Sequence, residues 1–216
     1  MKYKEGTVMN EIIRAMEERR SIRSFKPDMP RKEEIDQIIE AGLYAPSGMG
    51  RQSAIVLAVM DKRQRDKLAQ INASIMGRSG DPFYNAPVVL IVLADKKCFT
   101  GIYDGSLVMG NMLLAAHSLG LGGIWIHRAK EEFEMPEYKQ LLKDLGVEGE
   151  WEGVGHCAIG YINGEAPEAA PYSTFNGREK TRSCDHSLPT LQVPYQIAPK
   201  SARDGTWSQS RETLIC

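Results

Sequence analysis

The sequence predicts a single domain of mixed helices and strands. Apolar residues recur at helical spacing in five stretches, and four short strand-like runs alternate with the later ones. The 216 residues suffice for one real hydrophobic core. Taken alone, this alternation predicts a parallel, doubly wound sheet.

The first helix is expected around Met9, Ile12, Ile13 and Met16, with Thr7 or Asn10 as its cap. It runs into Arg19-Arg20-Ser21-Ile22-Arg23, just before Pro27. Guanidinium forks grip phosphate in bidentate fashion, and a serine hydroxyl with nearby amides adds donors. A solvated basic helix end is the alternative, since cations also complement the helix dipole. A second helix places Ile35, Ile38, Ile39 and Leu43 on one face and stops at Pro46.

Ala45-Pro46-Ser47-Gly48-Met49-Gly50-Arg51-Gln52 is a loop of small residues that lets backbone approach a ligand. A buried strand follows over Ala54 to Met60, then a helix from Arg63 to Ala73 with Leu68 and Ile71 inward. Asn72 near its end reads as a cap or surface residue. Met76 to Asn85 reads as a loop, either a lid or a connection, before a second buried strand from Val88 to Ala94.

Asp104 to Leu119 is the most apolar helix. It is expected to be buried on most sides, with Asp104 as its cap and His117 as a partnered core histidine. Gly120, Gly122 and Gly123 precede a strand at Ile124 to His127. They are no dinucleotide fingerprint, because that motif follows a strand and opens a helix. They suit a helix end beside which something flat or bulky must fit. Tyr138, Leu141, Leu142 and Leu145 give another helix, and Gly153 to Tyr161 the last strand. Beyond Pro171 the periodicity disappears, and residues 172–216 read as an irregular or disordered tail.

A formal net charge of −1 offers no basic field for nucleic acid and no polybasic membrane patch. The apolar run from Pro87 to Ala94 is too short to cross a bilayer, and the polar N-terminus carries no apolar leader core. Cys98, Cys157, Cys184 and Cys216 form no C-x-x-C pair, so reduced thiols in the cytoplasm are expected. No zinc or other metal is expected, since the histidines are scattered too. Ser47 lacks the setting of a nucleophile elbow. His156 and Cys157 are adjacent in a strand and point to opposite faces, which leaves core packing for Cys157.

Arg-Arg-Ser-x-Arg after a first helix, Ala-Pro-Ser-Gly-Met-x-x-Gln before a strand, Asp81-Pro82-Phe83-Tyr84-x-Ala86-Pro87 before a second strand, and Ser118-Leu119-Gly120-Leu121-Gly122 occur in this order. Together they resemble the FMN-dependent nitroreductase family, its short clostridial-type members most of all. The resemblance covers roughly residues 8–171. It implies a homodimer with an α+β fold, in which a mostly antiparallel central sheet is flanked by helices, and it replaces the parallel reading. It also implies two FMN sites at the dimer interface. Arg19, Arg20 and Ser21 match the phosphate-binding segment, and Arg23 matches the cation near the pyrimidine end of the flavin. Pro46, Ser47, Gly48 and Gln52 match the loop that reaches the flavin from the partner subunit. Asn72 matches an asparagine bonding the polar edge of the ring. Ile126, His127 and Arg128 match the segment whose backbone faces the reactive flavin nitrogen.

The implied activity is ping-pong transfer of hydride from NADH or NADPH through FMN to a nitroaromatic, quinone or similar small-molecule acceptor. A flavin-binding module with little turnover and a reductive dehalogenase are the rivals on the same fold. Two departures stand out. Gly50 replaces the usual asparagine, and the expected Pro-Arg-Lys terminus is absent, with Arg178, Lys180 and Arg182 out of register. The tail resembles an unrelated reading frame more than a family terminus.

Overall fold

The computed structural model describes residues 10–168 and 213–215. Asn10 opens α1 (Glu11–Glu18), its side-chain oxygen accepting from the amides of Ile12 and Ile13 at 2.9 and 3.4 Å. Then follow α2 (Lys32–Leu43), a short 3-10 turn (Gly48–Gly50), β1 (Ala54–Val59), α3 (Lys62–Ile75), β2 (Val88–Asp95), α4 (Gly101–Ser118), β3 (Leu121–Ile126), α5 (Ala129–Glu134), α6 (Pro136–Asp144), β4 (Trp151–Tyr161) and β5 (Thr213–Ile215).

The strands lie in the order β3-β4-β2-β1-β5. The β1–β2, β2–β4 and β4–β3 pairs are antiparallel, which gives the α+β sheet that the family resemblance implies rather than the parallel sheet that alternation suggests. Two features of the chain explain this. After α3 the connection over residues 76–87 retraces the helix, so that Val89 pairs with Val59 at the end where β1 finished. β2 and β3 do run in the same direction across α4, but β4 inserts between them in the opposite sense. β5 was expected to be part of an irregular tail. Instead it adds to β1 as a parallel edge strand, pairing Leu57 with Leu214. The rest of that tail lies outside the described residues, as does Thr7, the other candidate cap of α1.

The sheet has a core on each face. Val89, Ile91 and Leu93 of β2 face Leu57, Phe83, Ile124, Phe133 and Leu142. Val88, Leu90 and Val92 face Ile35, Ile38, Ile39, Val108, Met109 and Met112. The period-2 alternation within one uninterrupted apolar run is that of a central strand buried on both sides. The Asp81-to-Pro87 motif fixes the connection into β2. Asp81 accepts from the amides of Phe83 and Asn85 at 2.8 and 2.7 Å and pairs with Arg65, whose Nε donates to the Ala86 carbonyl at 3.0 Å. This half of the loop is therefore a pinned connection and not a lid.

α4 begins three residues before Asp104, so Asp104 is not its cap. The helix is also less enclosed than expected, because Ile102, Tyr103 and Leu107 are exposed. His117 is half-buried near its end rather than in the core. α1, which contacts α4, exposes Ile12, Ile13 and Met16 in the same way. Apolar periodicity marks the face that wants burial, but not what buries it.

At Gly153 any Cβ would run into the backbone of Ala129 on α5. Gly153→Ala should destabilise the fold by about 3 kcal/mol, the upper part of the range for overpacking, as read by urea unfolding. Glu34 accepts from the Arg31 guanidinium and amide at 2.8 and 2.9 Å and from the Tyr161 hydroxyl at 2.8 Å. The Arg31 hydrogen bond leads in bringing its carboxyl down from 4.5 to about 2, against the opposing effect of burial. A lowered folded value stabilises above the unfolded value and is lost as pH falls toward the folded one. Glu34→Gln should therefore cost stability at pH 7, with the difference from the parent closing between about pH 4.5 and 2 in urea titrations.

Candidate functional site

The arginine segment follows directly from the end of α1. The chain turns extended at Arg19 and runs beside β3, bridging Ser21 to Gly123, with the Ile22 amide donating to the Gly123 carbonyl at 3.2 Å. Gly122 is needed here because a Cβ would meet the Ile22 side chain at 2.8 Å. The bulky group that the glycine run admits is thus the chain's own Ile22. Arg20 Nη1 donates to the carbonyls of Glu17 and Arg19 at 2.6 and 2.8 Å, capping the end of α1. Its Nε has no partner and is buried, as is Nη1 of Arg19. Trp125 Nε1, on β3, is the third buried side-chain polar atom without a partner among the described residues. Arg23 is exposed, with Nη1 3.4 Å from the Ser21 carbonyl.

The loop at Pro46 to Gln52 is held by Asp104. This carboxylate accepts from the Gly48 amide at 2.9 Å, the Ser53 hydroxyl at 2.7 Å and the Thr100 hydroxyl at 3.0 Å. Burial pushes the Asp104 carboxyl up, but the hydrogen bonds from Ser53, Gly48 and Thr100 outweigh it and leave the group below the ordinary range. The Gln52 amide donates to Ser47 Oγ at 2.9 Å, while Met49 and Gln52 hold positive φ of 55° and 48°. Pro46, Met49 and Gln52 stand exposed. The loop enters β1, and β3 lies three strands away, about 14 Å at ordinary strand spacing. One copy of the chain does not bring this loop to its own arginine segment.

The third group is the corner after β3. His127 is exposed, and Arg128 is half-buried with φ 83°, a left-handed conformation unusual for a residue with a Cβ. With Ile102, Lys130, Glu131, Glu152, Gly153 and Val154 these residues line a cleft of about 460 Å³. Beside it the β2–β4 register shifts between Val92 and Leu93, leaving Val154 as a bulge.

Asn72 is neither a helix cap nor a surface residue, because it is wholly buried. Its amide nitrogen donates to the His127 carbonyl at 3.0 Å and to Glu132 Oε1 at 2.6 Å, and its oxygen accepts from Arg128 Nε at 2.9 Å. Both of its donors are spent inside the protein, so the ring-edge bond expected of Asn72 is reduced to one lone pair beneath the surface. Glu132 and His156, also wholly buried, escape the sequence reading. The signal for His156 was an ionisable residue inside an apolar strand. Glu132 sits on α5, a six-residue helix too short for a periodic signal. Cys157 is core, as expected, and burial pushes its thiol up to about 12.

A mostly antiparallel sheet clad in helices on both faces, with an arginine segment beside the β3 edge and a loop of small residues leading into β1, defines a known class of α+β protein. The sequence profile of the Nitroreductase family matches residues 16–161, and the chain belongs to that family. Among its relatives, the FMN reductase [NAD(P)H] of Bacillus subtilis (strain 168) is 30% identical over 169 residues, 64% of this chain and 66% of the relative. A putative NADH dehydrogenase/NAD(P)H nitroreductase of Methanothermobacter thermautotrophicus is 31% identical over 119 residues, 53% of this chain and 60% of the relative. The chain thus spans somewhat under two thirds of the length of these two. A nitroreductase with bound FMN from Bacteroides fragilis superposes with a TM-score of 0.70 at 26% identity, over 81% of this chain and all of that one.

Replacing Asp104 by asparagine would turn an amide donor toward groups that are themselves donors. Asp104→Asn should cost about 1–3 kcal/mol, the usual penalty for stranding buried polar groups. It should also expose the loop around Met49 to limited proteolysis, read by urea unfolding and by mapping the first cleavage site.

Proposed function

We propose that the chain is an FMN-dependent NAD(P)H oxidoreductase acting on nitroaromatic, quinone or similar conjugated acceptors. The carrying observation is the pair of buried, unpartnered donors Arg19 Nη1 and Arg20 Nε beside β3. A phosphate supplies the acceptors these donors lack, and the planar guanidinium fork matches its geometry. When bound, FMN would supply the electron relay between the nicotinamide and the acceptor. Arg19, Arg20 and Ser21 would hold its phosphate. The His127–Arg128 corner would orient the ring, and exposed Arg23 would place positive charge near the pyrimidine edge. Residues 1–171 form the flavin unit on this reading.

The same reading includes a cytoplasmic homodimer. It is supported by the exposed Ile12, Ile13 and Met16 of α1 and Ile102, Tyr103 and Leu107 of α4, two helices in contact. Covering that face with a second copy would bring the Pro46–Gln52 loop to the partner's arginine segment, which it cannot reach within one chain. No helix among the described residues is long and apolar enough to cross a membrane.

The purified protein should be yellow and dimeric, and should oxidise NAD(P)H when a nitroaromatic is added. Arg19→Ala combined with Arg20→Ala should weaken FMN binding at least tenfold, since a hydrogen bond to a charged group is worth about 1.5–3 kcal/mol. Fluorescence titration checks this. Colourless protein that FMN fails to reconstitute would overturn the reading. Binding without NAD(P)H oxidation would reduce it to a flavin-binding module.

A further inference from the structure

Three wholly buried polar side chains, Asn72, Glu132 and His156, converge beneath the corner after β3. They come from three elements, α3, α5 and β4. His156 Nε2 lies 2.7 Å from Glu132 Oε2, and its Nδ1 lies 3.3 Å from the Ile126 carbonyl. That carbonyl can only accept, so Nδ1 carries a proton. The Nε2–Oε2 contact holds one more, on the imidazole or on the carboxyl. Glu132 Oε1 takes a hydrogen from Asn72, which gives its other hydrogen to the His127 carbonyl and receives Arg128 Nε. The carbonyls of residues 126 and 127 and the guanidinium of 128 are thus each held by one member of a single network.

Burying three such groups is costly unless each finds its partners. Packing alone does not call for them here, since Phe83 and Phe133 fill the same side of the sheet with apolar volume. What the network does is specific: it fixes consecutive peptide planes where Arg128 sits at positive φ on the wall of the cleft. A strained backbone persists only where its surroundings over-determine it.

We propose that Glu132, His156 and Asn72 are positioning residues that aim the 126–128 peptide groups and the Arg128 guanidinium at the reacting end of the bound cofactor. The inference rests on the FMN reading for its consequence, but not for the rigidity it asserts. Glutamine at position 132 can reproduce every bond: its oxygen accepts from Asn72, and its amide donates to Nε2 of a neutral His156. Alanine can reproduce none.

Three readouts test this in Glu132→Ala and Glu132→Gln, compared with the parent at a temperature where all are folded. In flavin-free protein, hydrogen exchange in a peptide spanning residues 124–130 should rise at least tenfold in Glu132→Ala and stay within twofold in Glu132→Gln. In FMN-loaded protein, the single-turnover rate of flavin reduction by NAD(P)H should fall at least tenfold in Glu132→Ala and recover in Glu132→Gln. The flavin midpoint potential should shift only in Glu132→Ala. If Glu132→Ala does not fold, Asn72→Ala removes the links to His127, Arg128 and Glu132 but leaves the Glu132–His156 contact, and should give the same pattern. A variant with a lowered melting temperature but unchanged exchange, reduction rate and potential would overturn the proposal. Failure of the parent to bind FMN would instead count against the proposed function and leave the exchange result to decide the rigidity.

Discussion

The structure depends on β4 running between β2 and β3 and being approached closely from both faces. Three of its residues make that possible by having no side chain. Gly153 lets the backbone of α5 settle onto the strand, Gly155 receives the Trp125 indole, and Gly160 accommodates Pro87 and Phe25. The consequence for function is local. α5 carries Glu132, β4 carries His156, and their 2.7 Å contact exists only because α5 lies directly on the strand at Gly153. A helix of six residues has little stability of its own, so its placement comes from this packing.

The same strand explains why two charged or polar groups can be tolerated in the core. His156 faces Phe83, with ring centroids 5.2 Å apart, and points to the face opposite Cys157. On one side of β4, Cys157 and Ile159 join the apolar core that α4 covers, and the other side carries the polar seam that leads to the corner after β3. The seam ends at carbonyls rather than at solvent, so its hydrogen bonds act on backbone direction. Arg65 shows a similar economy elsewhere, binding Asp81 and the Ala86 carbonyl to hold the approach to β2. In both cases a buried polar side chain is used to specify a backbone path that apolar contacts would leave free to drift.

How far the sequence reveals this depends on the range of the interaction. The faces of α2 and β2 were legible because periodicity reports burial directly, and Ile35, Ile38 and Ile39 lie where their spacing puts them. Strand direction was not, because it depends on what residues 76–87 do after α3 and on β4, later in the chain, inserting between β2 and β3. The family resemblance supplied the antiparallel sheet that local pattern could not. Arg19 and Arg20 were legible as a cluster, whereas their split between capping α1 and leaving donors free depends on β3, a hundred residues away. Asn72, Glu132 and His156 are separated by 24 residues or more, and no local signal marks a network of single residues from three elements. α4 misled because its apolar face reads the same whether its own core or another chain is to cover it.

On the proposed reading, the two readings of the arginine segment describe different atoms of Arg20. Arg20 Nη1 satisfies carbonyls at the end of α1, an interaction worth about 0.3–1 kcal/mol as a dipole complement. A buried donor without an acceptor costs about 1–3 kcal/mol, and the segment carries two. Capping alone therefore does not repay the arrangement, and on the proposed reading a phosphate supplies the missing acceptors. α1, whose end delivers these arginines, also presents Ile12, Ile13 and Met16 outward. Whatever covers that apolar face removes water from the neighbourhood of the guanidinium groups and strengthens their attraction for an anion. On the proposed reading, association and cofactor binding therefore reinforce each other through one short helix: the second subunit lowers the local dielectric, and the phosphate relieves the buried charge.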